Sequence, residues 1–527
     1  MANPSLQIGN GKFAIKENDL LGYSSSGTKF FPIPITMTRA TLGTRVNPSG
    51  LVEDVALLGS ELVSCGDFAC ADPNAEWTEG TGWTISGGKA THTGATGNLS
   101  QDVGIGGKTI FLTFDILSIA DGVCNVYDIS NATTYASFST TGTKTLYFNS
   151  VSNSIGFRSN STNVSIDNIS VKEATLDGLA RVDYTDGTGS LLVEPQRTNL
   201  ITYSEDFSNP SWLKVNSTVN PNTSVSPDGT LNSDEFIPDN TTASIFIYNQ
   251  VTFSASDYTL SFFIKYNGRQ YVQLLFGSGA SSDFSNFDLI NHTVTSGNGS
   301  IEDYGNDWYK ISLTSNVSAG ASEVYLWSID SATSLRAASS TGNGTDGYYV
   351  YGGQLEQGSY PTSYIKTQGS TVTRNKDEYT KTGISDKINS EEGVLFVEMA
   401  ALANDGNTRY LSLNDGTTNN RVTILYYSGN NNIRTIISSG GSNIVDKNTG
   451  VTSALDFHKI AVKWKENDFA LWVDGVERKT DTSGLAPTGL NTLSFDQLGF
   501  DNLFGKVRQL QVFKTALSDS ELATLTT

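Results

Sequence analysis

The chain has 527 residues, of which 37% are hydrophobic, and its 54 acidic and 34 basic residues give a formal charge of −20. This length predicts about three or four domains, and the apolar fraction supports several thin β cores. No basic stripe interrupts the acidic sequence, so charge argues against nucleic acid and anionic membranes as partners.

Alternating apolar residues and turn-forming residues recur in every region. This pattern predicts an all-β fold of several β-sandwich or jelly-roll modules in tandem, with an extended N-terminal arm and a short C-terminal helix. The helix has a complete start signal, because Ser518 and Glu521 form a capping box and Leu517 and Leu522 a hydrophobic staple. Asp474-Gly475 predicts a tight hairpin turn.

Composition changes and turn signals divide the chain into six segments. These are an N-terminal arm (residues 1–60), a first jelly roll (61–174), a connector (175–198), a second jelly-roll module (199–366), a linker (367–389) and a C-terminal sandwich (390–527). Phe30–Ile35 contains two prolines and is predicted to be extended, edge-like chain. The arm is too short for its own core, so we expect it to pack on a neighbour or dock into a larger assembly; a mere leader strand is the alternative.

The first and second modules resemble each other at both ends, which predicts a degenerate repeat whose first and last strands pair. The matching positions are Leu62 and Leu200, the acid–Phe steps at Phe68 and Phe207, the tryptophans Trp77 and Trp212, and the closing acids Glu173 and Glu356. Trp77 and Trp83 are expected to pack over the sandwich end, with a sugar platform as the alternative. The second module is expected to begin at about Thr198, and we call its junction with the connector the joint. Arg197 is expected to be held there by Glu194 or Asp206.

Cysteine usage and the N-terminus bear on where the chain folds. Cys65, Cys70 and Cys124 match no zinc spacing, and we predict buried free thiols and a reducing cytoplasm, with a local Cys65–Cys70 contact as the alternative. Residues 1–23 contain no apolar signal-peptide core, and no run of about 18 apolar residues exists. We therefore expect a chain that leaves the cell by another route, such as release inside a virus particle.

Catalytic signatures are sparse, and we expect no enzyme. The three histidines lack metal spacing, and no G-x-S-x-G elbow is present. A glycanase of the sandwich type needs paired acids on one strand. Glu398 is the only acidic residue on the strands predicted at Val394–Met399, Lys459–Trp464 and Phe469–Val473, so none of these strands carries such a pair.

Sugar binding requires exposed aromatic rings beside polar hydrogen-bonding side chains. The candidates are Tyr266, Tyr271, Trp327, Tyr426 and Tyr427. Tyr266 and Tyr271 flank a polar turn, and the last two precede the asparagine-rich run 428–432. For each residue, a core or plain surface position is the alternative.

Two modules resemble known fold families. Phe457–Trp464, Leu471–Gly475 and Val512–Ser518 resemble the laminin-G/pentraxin class of concanavalin A-like jelly rolls, which implies a fold shared by lectins, adhesion modules and glycanases. Gly82–Gly88 and Ile166–Val171 resemble the galactose-binding-like jelly rolls of carbohydrate-binding modules. That class often holds a structural calcium, and the resemblance implies Ca²⁺ ligands at Asp167 and, less directly, Asp67.

A third resemblance concerns the joint. Leu192–Leu200, Tyr203–Phe207 and Gly353–Ile365 resemble segments of bacteriophage tail-fibre and spike proteins. The resemblance implies a virion protein whose arm contacts other virion proteins and which assembles as a homo-oligomer, often a trimer, although no heptad run specifies one.

These observations lead to one expected function and two alternatives. We expect a bacteriophage fibre or spike protein, located in the virion, that attaches to the host by binding a cell-surface glycan. The first alternative is a structural virion component without sugar binding, and the second is a polysaccharide depolymerase.

Overall fold

The computed structural model describes residues 2–9, 13–16, 19–26, 29–94, 96–161, 163–427 and 431–527. Most of them form antiparallel strands, and their helices are Pro73–Glu76 and Asp519–Thr526. The predicted all-β fold class is therefore confirmed. Neither helix is long and apolar enough to cross a membrane.

The chain folds into two compact units, and each is discontinuous in sequence. Unit 1 contains Met1–Val55, Asp177–Arg197 and Arg374–Thr527, and unit 2 contains Ala56–Leu176 and Thr198–Thr373. This grouping differs from the expected separate arm, connector and linker. Short segments cannot bury a core of their own, and here they add strands to the C-terminal sandwich.

Most strands of unit 1 are joined by hydrogen bonds into one continuous series of antiparallel ladders. Lys29–Thr38 pairs with Asp19–Ser26 along most of its length and with Glu378–Lys381 at its end. Pro32 and Pro34 lie where this strand has one neighbour, which agrees with the predicted edge-like chain. In ladder order the main strands are Ser442–Gly450, Asn432–Ser439, Arg421–Tyr427, Arg409–Asn414, Thr492–Ser494, Glu378–Lys381, Lys29–Thr38, Asp19–Ser26, Leu6–Gly9, Gly505–Phe513, Glu392–Ala401, His458–Lys465, Phe469–Val473 and Val476–Asp481. Shorter strands of the same set are Ala14–Lys16, Val182–Asp183 and Ser190–Val193. Thr44–Val46 and Val52–Asp54 pair in a separate two-stranded sheet.

The C-terminal helix of unit 1 forms as predicted. The backbone amide and hydroxyl of Ser518 lie 3.0 and 2.9 Å from the Glu521 carboxylate, which completes the capping box. Leu517 and Leu522 are buried in one apolar cluster with Phe396 and Trp472 on the outer side of the sheet. The helix therefore covers a sheet face that would otherwise expose apolar surface to water.

Five buried charged residues of unit 1 form what we call the arginine cluster: Arg39, Arg181, Glu194, Arg374 and Asp377. Arg39 Nη1 lies 2.8 Å from Asp377 Oδ1, and Arg181 Nη1 lies 2.6 Å from Glu194 Oε2. Arg374 also binds Glu194, at 3.0 Å, and Arg181 also binds Asp377. All five side chains are at most 3% exposed. Glu194 was expected to hold Arg197. Its carboxylate binds Arg181 and Arg374, and neither of these two pairs was predicted.

We expect Asp377→Asn to destabilise unit 1 by about 3–5 kcal/mol, because it removes the carboxylate that Arg39 and Arg181 share and leaves Arg181 with Glu194 alone. Hydrogen exchange read by mass spectrometry on the strands of unit 1 measures this loss. The control is Glu392→Gln, which removes the exposed pair between Lys465 and Glu392 and is expected to cost less than about 1 kcal/mol. Equal exchange in the two variants would contradict the assigned role of the cluster.

Unit 2 contains two β sandwiches, each with a core between two sheets. The first sandwich consists of Gly142–Asn149, Thr109–Ile119, Asn163–Thr175, Ala90–Thr93, Trp83–Ile85 and Leu57–Glu61 in one sheet, and Thr133–Phe138, Cys124–Asp128, Ser154–Ser159, Gly97–Asp102 and Thr78–Glu79 in the other. Trp77 and Trp83 are buried in its core, which supports the packing interpretation over the platform.

The second sandwich has six strands in each sheet. They are Ser217–Val225, Leu231–Pro238, Gly347–Gln357, Ser256–Asn267, Tyr309–Val317 and Ser300–Asp303, against Trp212–Val215, Phe246–Phe253, Gly320–Ser328, Tyr271–Phe276, Phe284–Asp288 and Thr293–Ser296. Two short pairs accompany them, Thr242–Ala243 with Ser340–Thr341 and Arg197–Asn199 with Val372–Arg374.

The predicted repeat is confirmed by matching hydrogen bonds in the two sandwiches. The Leu62 amide donates to the Val171 carbonyl at 2.9 Å, and the Leu200 amide donates to the Leu355 carbonyl at 2.8 Å. The indole of Trp77 donates to Cys65 O at 3.1 Å, and that of Trp212 to Tyr203 O at 2.8 Å. The first and last strands of each module therefore lie side by side, as expected.

The opening loops of the two sandwiches are held by different devices. Cys65 and Cys70 form a disulfide with Cα atoms 5.6 Å apart, so the prediction of free thiols is wrong for this pair. Cys124 is buried and free, as predicted. In the second sandwich, the Lys214 ammonium donates to the backbone carbonyls of Ser208, Asn209 and Trp212 at 2.8–2.9 Å. The charged side chain of Lys214 thus holds that loop.

Asp234 is the buried acid beneath the same loop. Its carboxyl accepts the amides of Phe207 and Asn222 at 2.8 and 3.0 Å. Burial raises the pKa of this carboxyl from 3.8 to about 7, and the charge of Asp206 acts in the same direction. The folded state therefore binds this proton more tightly than the unfolded state does.

This proton stabilises the second sandwich below about pH 4, and its contribution is lost as the pH rises from about 4 to about 7. Asp234→Asn cannot ionise, so we expect it to remove this part of the pH dependence, on the order of a few kcal/mol. Urea unfolding followed by tryptophan fluorescence across that range measures the difference from wild type at each pH. Asp239→Asn, at an exposed position, is expected to keep the wild-type profile. A constant difference between Asp234→Asn and wild type would show that the proton contributes nothing.

Candidate functional site

One sheet of the second sandwich presents aromatic side chains on the face opposite the core. Along Phe246–Phe253 and Gly320–Ser328, one set of alternating residues, including Ile247, Val324 and Leu326, is buried in the core. The other set, which begins with Phe246 and continues through Tyr248 and the opposing strand, points outward. We call the outer set, with its cross-strand neighbours, the aromatic face.

Strand register aligns the aromatic face into two rows, in which directly paired residues are neighbours. The first row is Leu213, Tyr248, Tyr325, Leu275 and Phe284. The second row is Val215, Phe246, Trp327, Gln273 and Asn286. Each row crosses five strands, but Leu275 in the first row and Gln273 and Asn286 in the second are buried.

The rings of the aromatic face contact each other closely. Tyr248 and Tyr325 stack with centroids 5.3 Å apart and an interplanar angle of 23°, and Phe246 and Trp327 stack at 4.1 Å and 17°. Phe246 also meets Tyr325 edge-on at 5.3 Å. Phe246, Tyr248 and Tyr325 are half-buried, and each therefore keeps part of its ring accessible.

A loop between Ile329 and Thr341 covers one end of the aromatic face. The Trp327 indole donates to Ala338 O at 2.8 Å, and Gln273 bonds the loop at Leu335 O and Ala337 N. Trp327 is only 7% exposed. The prediction that Trp327 contacts a sugar is therefore corrected. Trp327 is buried and stacks against Phe246, which it supports.

Polar side chains border the first row on the side away from the second row. Gln250 and Glu323 are directly paired next to Tyr248 and Tyr325, Gln250 is exposed and Glu323 half-buried. Burial raises the pKa of the Tyr325 hydroxyl, and the Glu323 charge adds to the effect, so this phenol stays protonated and can donate a hydrogen bond. Flat apolar rings with a few polar groups at their border match a ligand that has apolar faces and hydroxyl edges.

The predicted sugar contacts of the second sandwich, Tyr266 and Tyr271, lie in different sheets. Tyr271 is half-buried and packs in the same outer cluster as Trp327. Tyr266 is 43% exposed but lies at the end of a strand in the other sheet, paired with Tyr348. Sequence reasoning missed Phe246 and Tyr248, and Tyr325 was not among the predicted sugar contacts. Their signal is the alternation of aromatic residues with isoleucine and valine, which gives two apolar faces where a core needs one.

In the C-terminal domain the two adjacent tyrosines point to opposite faces. Tyr426 is 3% exposed in the core and donates to Met399 O at 2.9 Å, so its prediction as a sugar contact is corrected. Tyr427 is 39% exposed, and the Arg434 guanidinium lies over its ring at 4.5 Å. Residues 428–430 of the predicted polar run lie outside the described residues.

The predicted calcium ligands, Asp67 and Asp167, each accept a backbone amide. Asp67 is exposed and accepts the Ala69 amide, and the Asp167 carboxylate accepts the Asn168 amide. Calcium requires several oxygen ligands around one point. Within the described ranges, no group of three or more His, Cys, Asp or Glu residues is placed to hold a metal ion.

Comparison with known families supports the fold of the C-terminal domain. Residues 395–523 match the family described as the concanavalin A-like lectin/glucanases superfamily. This match confirms the predicted concanavalin A-like, laminin-G-type class for that part of the chain. No curated protein matches the chain significantly.

Similar solved structures include three sugar-related proteins. A carbohydrate-binding module, CBM40, of the Ruminococcus gnavus IT-sialidase is 17% identical, covers 26% of this chain and 84% of its own, with a TM-score of 0.24. A mutant NanB sialidase from Streptococcus pneumoniae is 15% identical. The match covers 28% of this chain and 26% of the sialidase, with a TM-score of 0.23. A third structure is domain 4 of AbnA, an arabinanase from Geobacillus stearothermophilus, in complex with arabinotriose. It is 12% identical, and the match covers 31% of this chain and 81% of that domain, with a TM-score of 0.24. These TM-scores are too low to carry an inference about this chain.

Proposed function

We propose that this protein is a virion fibre or spike component that attaches to the host surface by binding a glycan on the aromatic face. The observation that carries this proposal is the stacked pair of Tyr248 and Tyr325, half-exposed beside Gln250 and Glu323. Sugar rings have apolar faces that stack on aromatic rings and hydroxyl groups that bond to such polar neighbours.

The form of the aromatic face favours a sugar over a protein partner. Protein interfaces of ordinary stability bury an extended patch with a fully desolvated centre. Here the exposed rings form a narrow row that the loop after Ile329 borders at one end, where the Trp327 indole bonds Ala338. A short stretch of sugar chain fits such a row.

The virion role rests on the resemblance of Leu192–Leu200, Tyr203–Phe207 and Gly353–Ile365 to fibre and spike segments. The concanavalin A-like match at residues 395–523 adds a second module of a class that includes lectins. We further propose that the chain acts without catalysis and as a homo-oligomer, a trimer being the commonest state of such fibres.

We expect Tyr248→Ala and Tyr325→Ala each to weaken glycan binding at least tenfold, which is about 1.4 kcal/mol, because each removes half of the stacked pair. A glycan array with the full chain identifies the ligand, and titration of that ligand gives the loss. The matched control is Tyr147→Ala, which removes a half-buried tyrosine packed 4.7 Å from Phe111 in the first sandwich. Binding unchanged by both test variants would refute the aromatic face as the site.

The same protein distinguishes the alternatives. Purified wild type is expected to compete with virus for host cells, whereas Tyr248→Ala is expected to compete poorly. No binding to any glycan and no competition would favour a structural virion component. New reducing ends after incubation with host polysaccharide would favour a depolymerase.

A further inference from the structure

A third row of outward positions runs beside Tyr248 and Tyr325 and consists of Gln250, Glu323 and Gly277. Gln250 is directly paired with Glu323, and the Gly277 amide donates to the Glu323 carbonyl at 2.7 Å. Glu323 is two positions from Tyr325 on the same strand, so both side chains point to the outer face. A Cβ atom at Gly277 would lie 2.5 Å from Glu323 Oε2. The Glu323 carboxylate therefore lies against the outer side of Gly277.

Arg336 reaches the same place from the loop that borders the aromatic face. Its Nη2 donates to the backbone carbonyl of Phe276, the residue that immediately precedes Gly277. Arg336 and Glu323 are both half-buried, so each head keeps contact with solvent. An acid and a base are thus held at two consecutive residues of one chain segment, next to the first row.

These two opposite charges are not neutralised by the protein. Within the described ranges, Nη2 of Arg336 bonds Phe276, Nε is buried without a partner, and neither Arg336 nor Glu323 forms an ion pair. Burial raises the pKa of the Tyr325 hydroxyl, the charge of Glu323 raises it further, and the charge of Arg336 lowers it. Both charges therefore act on the hydroxyl end of the same exposed ring.

A carboxylate and a guanidinium held apart in this way match two neighbouring hydroxyl groups. A hydroxyl group both donates and accepts hydrogen bonds, whereas a carboxylate only accepts and a guanidinium only donates. One hydroxyl of a sugar ring donates to Glu323, and the next accepts from Arg336. Hydrogen bonds with one charged partner are stronger than neutral ones, so this pair of contacts discriminates between sugars.

Charge around the third row disfavours an ionised ligand. An acidic substituent at Arg336 would also meet the neighbouring carboxylate of Glu323, and the formal charge of −20 repels anions from the whole chain. An ammonium group at Glu323 would meet the guanidinium of Arg336. A neutral sugar meets neither conflict.

We propose that the aromatic face selects a neutral sugar with two unsubstituted neighbouring hydroxyl groups, which bond to Glu323 and Arg336 while the ring stacks on Tyr325. This inference rests on the proposed function, because the stacked tyrosines must first bind a sugar ring. Glu323 and Arg336 are then the residues that determine which sugar is bound.

The test uses the full chain on an array of neutral oligosaccharides printed beside matched forms. The matched forms carry a uronate, a sulfate, an amino group, or an O-methyl group in place of one hydroxyl. Wild type is expected to bind a neutral oligosaccharide at least tenfold more tightly than each of its matched forms.

Two variants separate the roles of the acid and the base. Glu323→Gln is expected to weaken neutral binding at least tenfold and to reduce the discrimination against the uronate and the sulfate, because the carboxylate that repels them is gone. Arg336→Gln is expected to weaken neutral binding to a similar extent and to reduce the discrimination against the amino form. The matched controls are Asp239→Asn and Arg478→Gln, which remove the same charges at exposed positions and are expected to keep the wild-type selectivity.

Several results would overturn the proposal. They are tighter binding of a charged form by wild type, equal binding of every O-methylated match, and wild-type selectivity in Glu323→Gln. A lower urea midpoint for Glu323→Gln than for Asp239→Asn would assign Glu323 to the fold and also count against it.

Failure of the proposed function has a different signature. If wild type binds no glycan, or if Tyr248→Ala and Tyr325→Ala bind like wild type, the aromatic face is not the site and this inference falls with it. If the two tyrosine variants lose binding while Glu323→Gln and Arg336→Gln keep the wild-type selectivity, the aromatic face stands and this inference alone is wrong.

Discussion

The arginine cluster is the interaction on which unit 1 depends. Asp377 accepts from Arg39 and Arg181, which are 338 and 196 positions away in sequence. Closing loops of that length carries a large entropic cost, because both sandwiches of unit 2 are inserted between the partners. Two carboxylates and three guanidinium groups sequestered together are stable only when each finds its counter-charge. The cluster therefore selects one arrangement of three distant segments, which then share a common core.

The two sandwiches show that a repeated fold does not fix a surface. In the first sandwich, the row equivalent to the aromatic face is Asn98, Arg158 and Asn125. Arg158 lies 4.8 Å over the Tyr127 ring and donates to its hydroxyl at 2.7 Å. The core faces of both sandwiches are apolar. The outward alternate residues do not contribute to those cores and are free to differ.

Local signals made part of this structure predictable. The Ser518 capping box and the Asp474-Gly475 turn depend on neighbours in sequence, and both form. Pairing of Leu6–Gly9 with Gly505–Phe513 was not predictable, because register between distant strands leaves no local trace. Tyr426 was misassigned although alternation with Val422 and Ile424 already places it with the core.

Buried arginines in this chain fall into two kinds, which differ in whether a carboxylate neutralises their charge. Arg181 has two carboxylate partners, so removal of either partner exposes the full cost of a buried charge. Arg421 has none among the described residues and spends one donor on Ser438. A fold gains nothing from an unpaired guanidinium that an apolar side chain would not supply better. Such a residue lowers the stability of the protein, whereas the paired guanidinium of Arg181 does not carry this cost.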